Sequence, residues 1–306
     1  MPDPDDLLPG LITRTQSGFF TVETAQGRVV CQLRGRLKRG QRSSDLAAVG
    51  DRVLVRRSDD GSGVVERVEP RRSVLSRRSP VPGREAEQVI VANPDQAVFV
   101  FACADPAPSL RMLDRLLVAA ERQAIPALIC ANKIDLVGRK ASRALFGEYP
   151  ALGYPVVYTS AHSGDGLKDL RARLDGKLSA LAGPSGVGKS SLLNALHPGL
   201  DLRTQAVRQQ TRKGHHTTVA RELIALGGST YVADTPGLRA LALWDIEPEE
   251  LDAYFPEIRP LVGACEFSDC SHLHEPGCAV IQAVEGGAIS EARYDSYCRL
   301  RLGDVD

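Results

Sequence analysis

Gly183, Pro184, Ser185, Gly186, Val187, Gly188, Lys189 and Ser190 spell a G-x-x-x-x-G-K-S loop. Glycines so spaced let backbone N–H groups close around phosphate oxygens. The lysine neutralises β/γ charge and the hydroxyl of Ser190 can ligate Mg²⁺. Ser191 continues into a helical run over 190–196, whose N-terminus favours an anion. Further on, Asp234-Thr235-Pro236-Gly237 follows an apolar run. Asp234 is expected to hold Mg²⁺ through water, and the Gly237 N–H to sense a γ-phosphate. Between these motifs lies Arg212-Lys213-Gly214-His215-His216-Thr217-Thr218. One threonine there should close on the metal, Thr217 ahead of Thr218; the polar, glycine-containing stretch reads either as a switch or as an ordinary exposed loop.

Asn132-Lys133-Ile134-Asp135 adds a base-reading set. A carboxylate is acceptor-only, so Asp135 can take both the ring N–H and the exocyclic amine of guanine, a donor pair adenine lacks. Lys133 can lay its stem along the ring. Ser160-Ala161 would add backbone contacts to the base oxygen. This set argues against an ATP-using kinase built on the same phosphate loop. Its position is unusual, because the base motifs precede the phosphate loop instead of following it. That inverted order denotes a circular permutation. The residue after Gly237 is Leu238, where Ras-like proteins carry the glutamine that orients the attacking water. Leucine cannot hydrogen-bond water. His215 and His216 are candidates for that task, and contact with nucleic acid is an equal alternative for both.

A second chemical cluster lies near the C-terminus. Cys265, Cys270, His272 and Cys278 supply three thiolates and an imidazole within fourteen positions. That donor set suits one closed, tetrahedral, structural zinc site. His274 is a spare candidate. Cys31, Cys103 and Cys130 sit in apolar strand-like runs and read as inert core residues.

Elements must position these groups. Short strand-like runs at 18–22, 28–33, 51–55 and 63–68 predict a small β-barrel of OB or SH3-like type. Arg34, Arg36, Lys38, Arg39 and Arg42 fall between its strands. Adjacent Phe19 and Phe20 suggest one core and one surface aromatic, with base stacking as the sharper alternative. An Arg-, Ser- and Pro-rich linker is expected over 71–84. Apolar runs at 97–102, 127–131, 156–158, 177–182 and 230–233 predict buried parallel strands, and the motifs lie at the C-terminal ends of such strands. Leu113, Leu116, Leu117 and Ala120 share one face of a helix over 110–122. Residues 247–255 read as an acidic helix and 290–302 as a closing helix. This end is too small for a large core of its own, which makes a metal staple plausible.

The chain has 306 residues and no net charge, but the charge is unevenly spread. Residues 28–84 carry 15 Lys/Arg against 6 Asp/Glu, and 245–306 carry 4 against 14. A basic N-terminal part suits a polyanion. No apolar run approaches the ~18 residues of a membrane span, and the acidic start does not read as a secretion signal. We expect a cytoplasmic protein with no membrane partner.

The basic barrel, the inverted motif order and the Cys-His-Cys cluster together resemble the ribosome small-subunit-dependent GTPase A family. The matching stretches are 132–135, 183–191, 214–218, 234–237, 265–272 and 275–278. The resemblance implies an N-terminal OB-type barrel (1–83), a circularly permuted P-loop GTPase domain (84–244) and a helical zinc-binding domain (245–306). It implies GTP hydrolysis to GDP, stimulated by the 30S subunit in its late maturation, and contact with 16S rRNA. We expect a monomer. A nucleotide-regulated RNA-binding module with little turnover is the alternative that Leu238 favours.

Overall fold

Strict alternation builds the first unit. In β3 (Gly27–Leu33), Val29, Cys31 and Leu33 point inward while Arg28, Val30 and Gln32 face out. The same two-residue period organises β2 (Phe19–Thr24) and β4 (Arg52–Arg57), while β1 (Leu8–Gln16) and β5 (Gly63–Val68) follow it with a break where neighbouring residues are both buried. The ladder runs β1-β2-β3-β5-β4 and closes through β1–β4, with only β3–β5 parallel. The result is a closed five-stranded OB-type barrel around Ile12, Phe20, Val22, Val29, Cys31, Val53, Val55 and Val65. Phe20 lies inside and Phe19 is exposed. The structure, a computed structural model, describes residues 7–35, 46–78, 87–200, 221–234 and 246–304. Arg36, Lys38, Arg39 and Arg42 lie outside them, whereas Arg34 pairs with Glu66.

Part of the expected linker is a strand. β6 (Val74–Arg78) pairs antiparallel with β7 (Glu87–Ala92). Leu75 and Val89, Ile90 and Val91 are buried, which outweighs the arginines and serines around them.

The second sheet has the order β10-β9-β8-β11-β13-β12. Its strands are β8 (Gln96–Ala102), β9 (Ala127–Asn132), β10 (Val156–Tyr158), β11 (Leu178–Ala182), β12 (Arg221–Gly227) and β13 (Thr230–Asp234). All pairings are parallel except β12–β13. Every residue of β8 is buried, as a central strand covered on both faces requires. Phe99 and Phe101 meet Leu113, Leu116, Leu117 and Ala120 of α1 (Leu110–Arg122) and Phe146 of α2 (Arg139–Phe146). Val98 and Val100 meet α3 (Leu167–Leu174) and α4 (Lys189–Leu196) on the other face.

The barrel joins this sheet edge to edge: β1 pairs with β12 through Arg14↔Glu222 and Thr15↔Arg221. Nearby, the Ala92 N–H donates to Val49 O at 2.9 Å, and Asn93 Nδ2 donates to Gly50 O at 3.1 Å. Asp51, fully buried, takes a bidentate pair of hydrogen bonds from Arg71, both at 2.8 Å.

The C-terminal unit has little regular structure. Residues 247–255, expected as a helix, contain instead a 3₁₀ turn, Pro248–Tyr254. Pro248 and Pro256 bracket the segment, and tight i→i+3 turns are enough to bury Leu251 and Phe255. α5 (Ala279–Glu285) and α6 (Glu291–Arg301) follow, the latter capped by the Ser290 side chain. Their core of Leu251, Phe255, Ile258, Val280 and Tyr297 is completed by Val118 of α1.

Arg293 of α6 is buried and donates to Asp114 Oδ1 of α1 at 2.6 Å and to Glu257 Oε1 at 2.7 Å. Tyr149 and Ser296 also donate to Asp114. Burial raises the Asp114 carboxyl above its ordinary range despite these partners.

Candidate functional site

The motif residues among the described residues gather at the C-terminal edge of the parallel sheet, where open α/β sheets bind ligands. Asn132 ends β9, Ser160 and Ala161 follow β10, and the glycine-rich loop joins β11 to α4. Asp234 closes β13, its backbone in register with Leu181 just before that loop. The side chain of Asp234, and all of His215, His216, Thr217, Thr218, Gly237 and Leu238, lie outside the described residues.

Asn132 is the hub. Its side chain is buried, with Nδ2 donating to Val187 O of the phosphate loop at 2.8 Å. Its Oδ1 accepts from Thr159 Oγ1 at 3.2 Å and from the Ala161 N–H at 3.3 Å. One amide therefore holds three loops together, using donor and acceptor at once. Gly188 is constrained by the same contact. Its φ is +94° and an added Cβ would lie 2.5 Å from Asn132 Nδ2, so glycine alone fits there.

The surrounding groups are fixed in turn. Ile134 is buried and its N–H donates to Thr159 O at 3.2 Å, leaving Asp135 exposed at the loop tip where a base could reach it. Lys133 has left-handed backbone, and its Nζ donates to the carbonyl of Asp105. Ser160 Oγ accepts from the N–H groups of His162 and Ser163, closing a tight turn beside Ala161. Lys189 Nζ donates to the carbonyls of Gly183 and Pro184 at 2.8 and 2.7 Å. The ammonium is thus held against the first two carbonyls of the glycine-rich loop. Ser190 and Ser191 open α4 and are half-buried. Beneath the base loops, Cys130 lies 3.3 Å from Thr159 Oγ1, and burial pushes its thiol up to about 12. Cys103 and Cys31 are likewise raised by burial, Cys31 to about 11, so these three remain neutral packing groups.

The Asp105 carbonyl that holds Lys133 was not singled out from sequence, and Thr159, which stands with Ser160 and Ala161 in the base-reading signature, has a side-chain bridging role that the signature does not give. Asp105 sits just past β8, and placement beyond the C-terminal end of a parallel strand is the signal that could have found it.

In the C-terminal unit the donor atoms of Cys265, Cys270, His272 and Cys278 all lie within 4.8 Å of one another. Cys265 Sγ is 3.8 Å from Cys278 Sγ, and His272 Nδ1 is 3.5 and 3.4 Å from those two sulfurs. Zinc–sulfur bonds of about 2.3 Å in a tetrahedron give edges of roughly 3.8 Å. The residues therefore fit a zinc ion. His274 is exposed and outside the cluster. The loop is braced by Glu275, whose carboxylate accepts from the N–H groups of Ser271, Leu273 and His274. Burial works against that charge, but the hydrogen bonds from Ser271 and the backbone hold the carboxyl well below the usual range. Tyr294 and Tyr297 donate to the carbonyls of His272 and Ser271.

Known proteins share this arrangement. Residues 68–244 match the RsgA GTPase family and residues 9–65 the RsgA N-terminal domain. A small ribosomal subunit biogenesis GTPase RsgA from Gemmatimonas aurantiaca is 50% identical over 95% of this chain and 96% of its own length. A protein of the same description from Moorella thermoacetica is 44% identical over 95% of both chains. Among solved structures, YjeQ from Thermotoga maritima superposes with a TM-score of 0.80 at 38% identity, covering 98% of this chain and 99% of that one. YloQ, described as a circularly permuted GTPase, gives 0.75 at 32% identity, with 99% and 98% covered.

Proposed function

This chain belongs to the RsgA GTPase family, and from that premise we propose that it hydrolyses GTP to GDP and phosphate during biogenesis of the small ribosomal subunit. The observation that carries the reading is the Asn132 hub, which binds the base loops to the phosphate loop. In the proposed roles, Asp135 selects guanine, Lys133 and Ile134 shape its loop, and Ser160 and Ala161 face the base oxygen. Residues 183–191 surround the phosphates, with Lys189 against β/γ charge and Ser190 on the Mg²⁺ that accompanies GTP. Asp234, Gly237 and Thr217 sense the γ-phosphate, and His215 or His216 orients the water attacking in line with the departing GDP.

Leu238 cannot perform that orientation, so turnover is slow until the 30S subunit completes the site. The basic barrel faces 16S rRNA, whose phosphates suit its arginines. A bound zinc ion supplies a structural cross-link and no reaction step; Cys265, Cys270, His272 and Cys278 hold it. We assign the units to 1–83, 84–244 and 245–306, in a cytoplasmic monomer. No helix among the described residues is long and apolar enough to cross a membrane.

GTP turnover measured alone and with purified 30S, 50S and 70S particles tests the reading. Stimulation by 30S is expected. Unchanged turnover would favour the second reading, a nucleotide-regulated RNA-binding module, for which Leu238 is the motivating residue. Asp135→Asn should move base preference toward xanthine, and guanine selectivity retained in that variant would sink the role of Asp135.

A further inference from the structure

His272 presents its two ring nitrogens to different surroundings. Nδ1 lies among the sulfurs, 3.4 Å from Cys278 and 3.5 Å from Cys265, and is the atom that would face a shared ion. Nε2 lies 3.7 Å from Oδ2 of Asp252. The imidazole is almost fully buried and the Asp252 side chain is 20% exposed, so the pair is largely shielded from water. Oδ1 of Asp252 is committed to the N–H of Ala253 at 2.7 Å, which fixes the rotation of the carboxylate. The turn that carries it cannot drift, because Leu251 and Phe255 on either side are buried in the module's core. Of the acidic groups inside the cysteine loop, Glu266, Asp269 and Glu275, the last is occupied with backbone N–H groups.

A metal-bound imidazole generally gives its other N–H to a carboxylate, carbonyl or water, which selects the tautomer and makes the ring a better donor. We propose that Asp252 is the outer carboxylate of the metal site, a positioning residue that keeps the proton of His272 on Nε2 and the Nδ1 lone pair on the ion. At 3.7 Å the contact is electrostatic, longer than a hydrogen bond, so its effect belongs at the low end of the range known for such partners. Asp252 comes from the turn Pro248–Tyr254, which follows β13 in the chain, and not from the loop that carries the metal ligands. The carboxylate therefore ties the metal centre to the segment leading out of the nucleotide-binding sheet.

The role rests on the zinc reading, and the test separates the two. Zinc content is measured in the full-length wild type, Asp252→Asn, Asp252→Ala and Asp252→Glu, with His274→Ala as control. Zinc transfer to a chromophoric chelator is then timed, and visible spectra of the cobalt(II)-substituted proteins are recorded. Asp252→Asn and Asp252→Ala should release zinc about tenfold faster and shift the cobalt ligand-field bands without lowering the unfolding temperature of the GTPase sheet. Asp252→Glu should recover most of the retention, and His274→Ala should match wild type. Wild-type protein that carries no zinc overturns the zinc reading and the role with it. Zinc-loaded wild type, with both Asp252→Asn and Asp252→Ala at its release rate and bands unmoved, overturns the role alone.

Discussion

The barrel and the C-terminal module are fastened to different elements of one GTPase core, the edge strand β12 and the helix α1, and by unlike chemistry. The barrel's joint is largely backbone: β1 adds to β12, Val49 O accepts from Ala92, and Gly50 O accepts from Asn93. The module's joint is side chain: Arg293 between Asp114 and Glu257, Tyr149 and Ser296 on the same carboxylate, and Val118 in the apolar seam. A backbone joint tolerates most side-chain changes and fails only where a side chain cannot fit. A side-chain joint depends on a few residues, and removing a charged one leaves its buried partner uncompensated.

The largest difference between the two should come from metal removal. Structural zinc contributes on the order of 10 kcal/mol to small metal-stapled units. A strong chelator should collapse amide protection in α5 and α6 while β1, β12 and the parallel sheet keep theirs, as hydrogen exchange would read directly. Simultaneous loss in the barrel would mean the joints are not independent.

Next comes Arg293→Met, which strands Asp114 and Glu257 and should cost about 3–5 kcal/mol. Urea unfolding measures it, and Asp114→Leu added to Arg293→Met should recover part of the loss. A cost below about 1 kcal/mol would show the network to be dispensable.

Gly50→Ala probes the other joint. Gly50 has φ +89°, and a Cβ would fall 2.1 Å from Ala92 O. We expect about 2 kcal/mol of destabilisation, with protection lost first along β1–β12 and none lost in α6.

The smallest effect concerns acid. Glu66 faces two guanidiniums, Arg34 and Arg56. Burial would raise its carboxyl, but those partners hold it below the ordinary range. A depressed carboxylate stabilises above its unfolded pKa of ~4.3 and loses that contribution as pH falls through the folded value. Protection of β5 should therefore weaken on acidification, and in Glu66→Gln that pH dependence should flatten. Asp114 shares one guanidinium with Glu257 and is shifted the other way by burial, so the same acidification should not open the α1–α6 contact through it.

Legibility followed the same division. Strands that end in a motif could be read because a buried run such as 127–131 has one interpretation and a chemical terminus at Asn132. The four inward residues of α1 were equally plain from their spacing. β1 was missed because Pro9, Gly10 and Gln16 interrupt its alternation, and its strand character comes from pairing on both edges with β2 and β4. β6 reads as linker in the sequence because its arginines and serines conceal Leu75. Arg293 gave no signal at all: in a closing helix an arginine reads as solvated, and its partner Asp114 is 179 residues away. The cysteine cluster was the opposite case, with four donors inside fourteen positions and no long-range information needed to group them.

The β1–β12 pairing has a mechanical meaning. Arg221, the first residue of β12, is held by Thr15 through the backbone and by Val89 O through its guanidinium at 2.7 Å. Thr217 lies only four residues earlier in the chain. A displacement of the barrel is thus delivered at a clamp that lies four positions in the chain from the candidate γ-phosphate sensor.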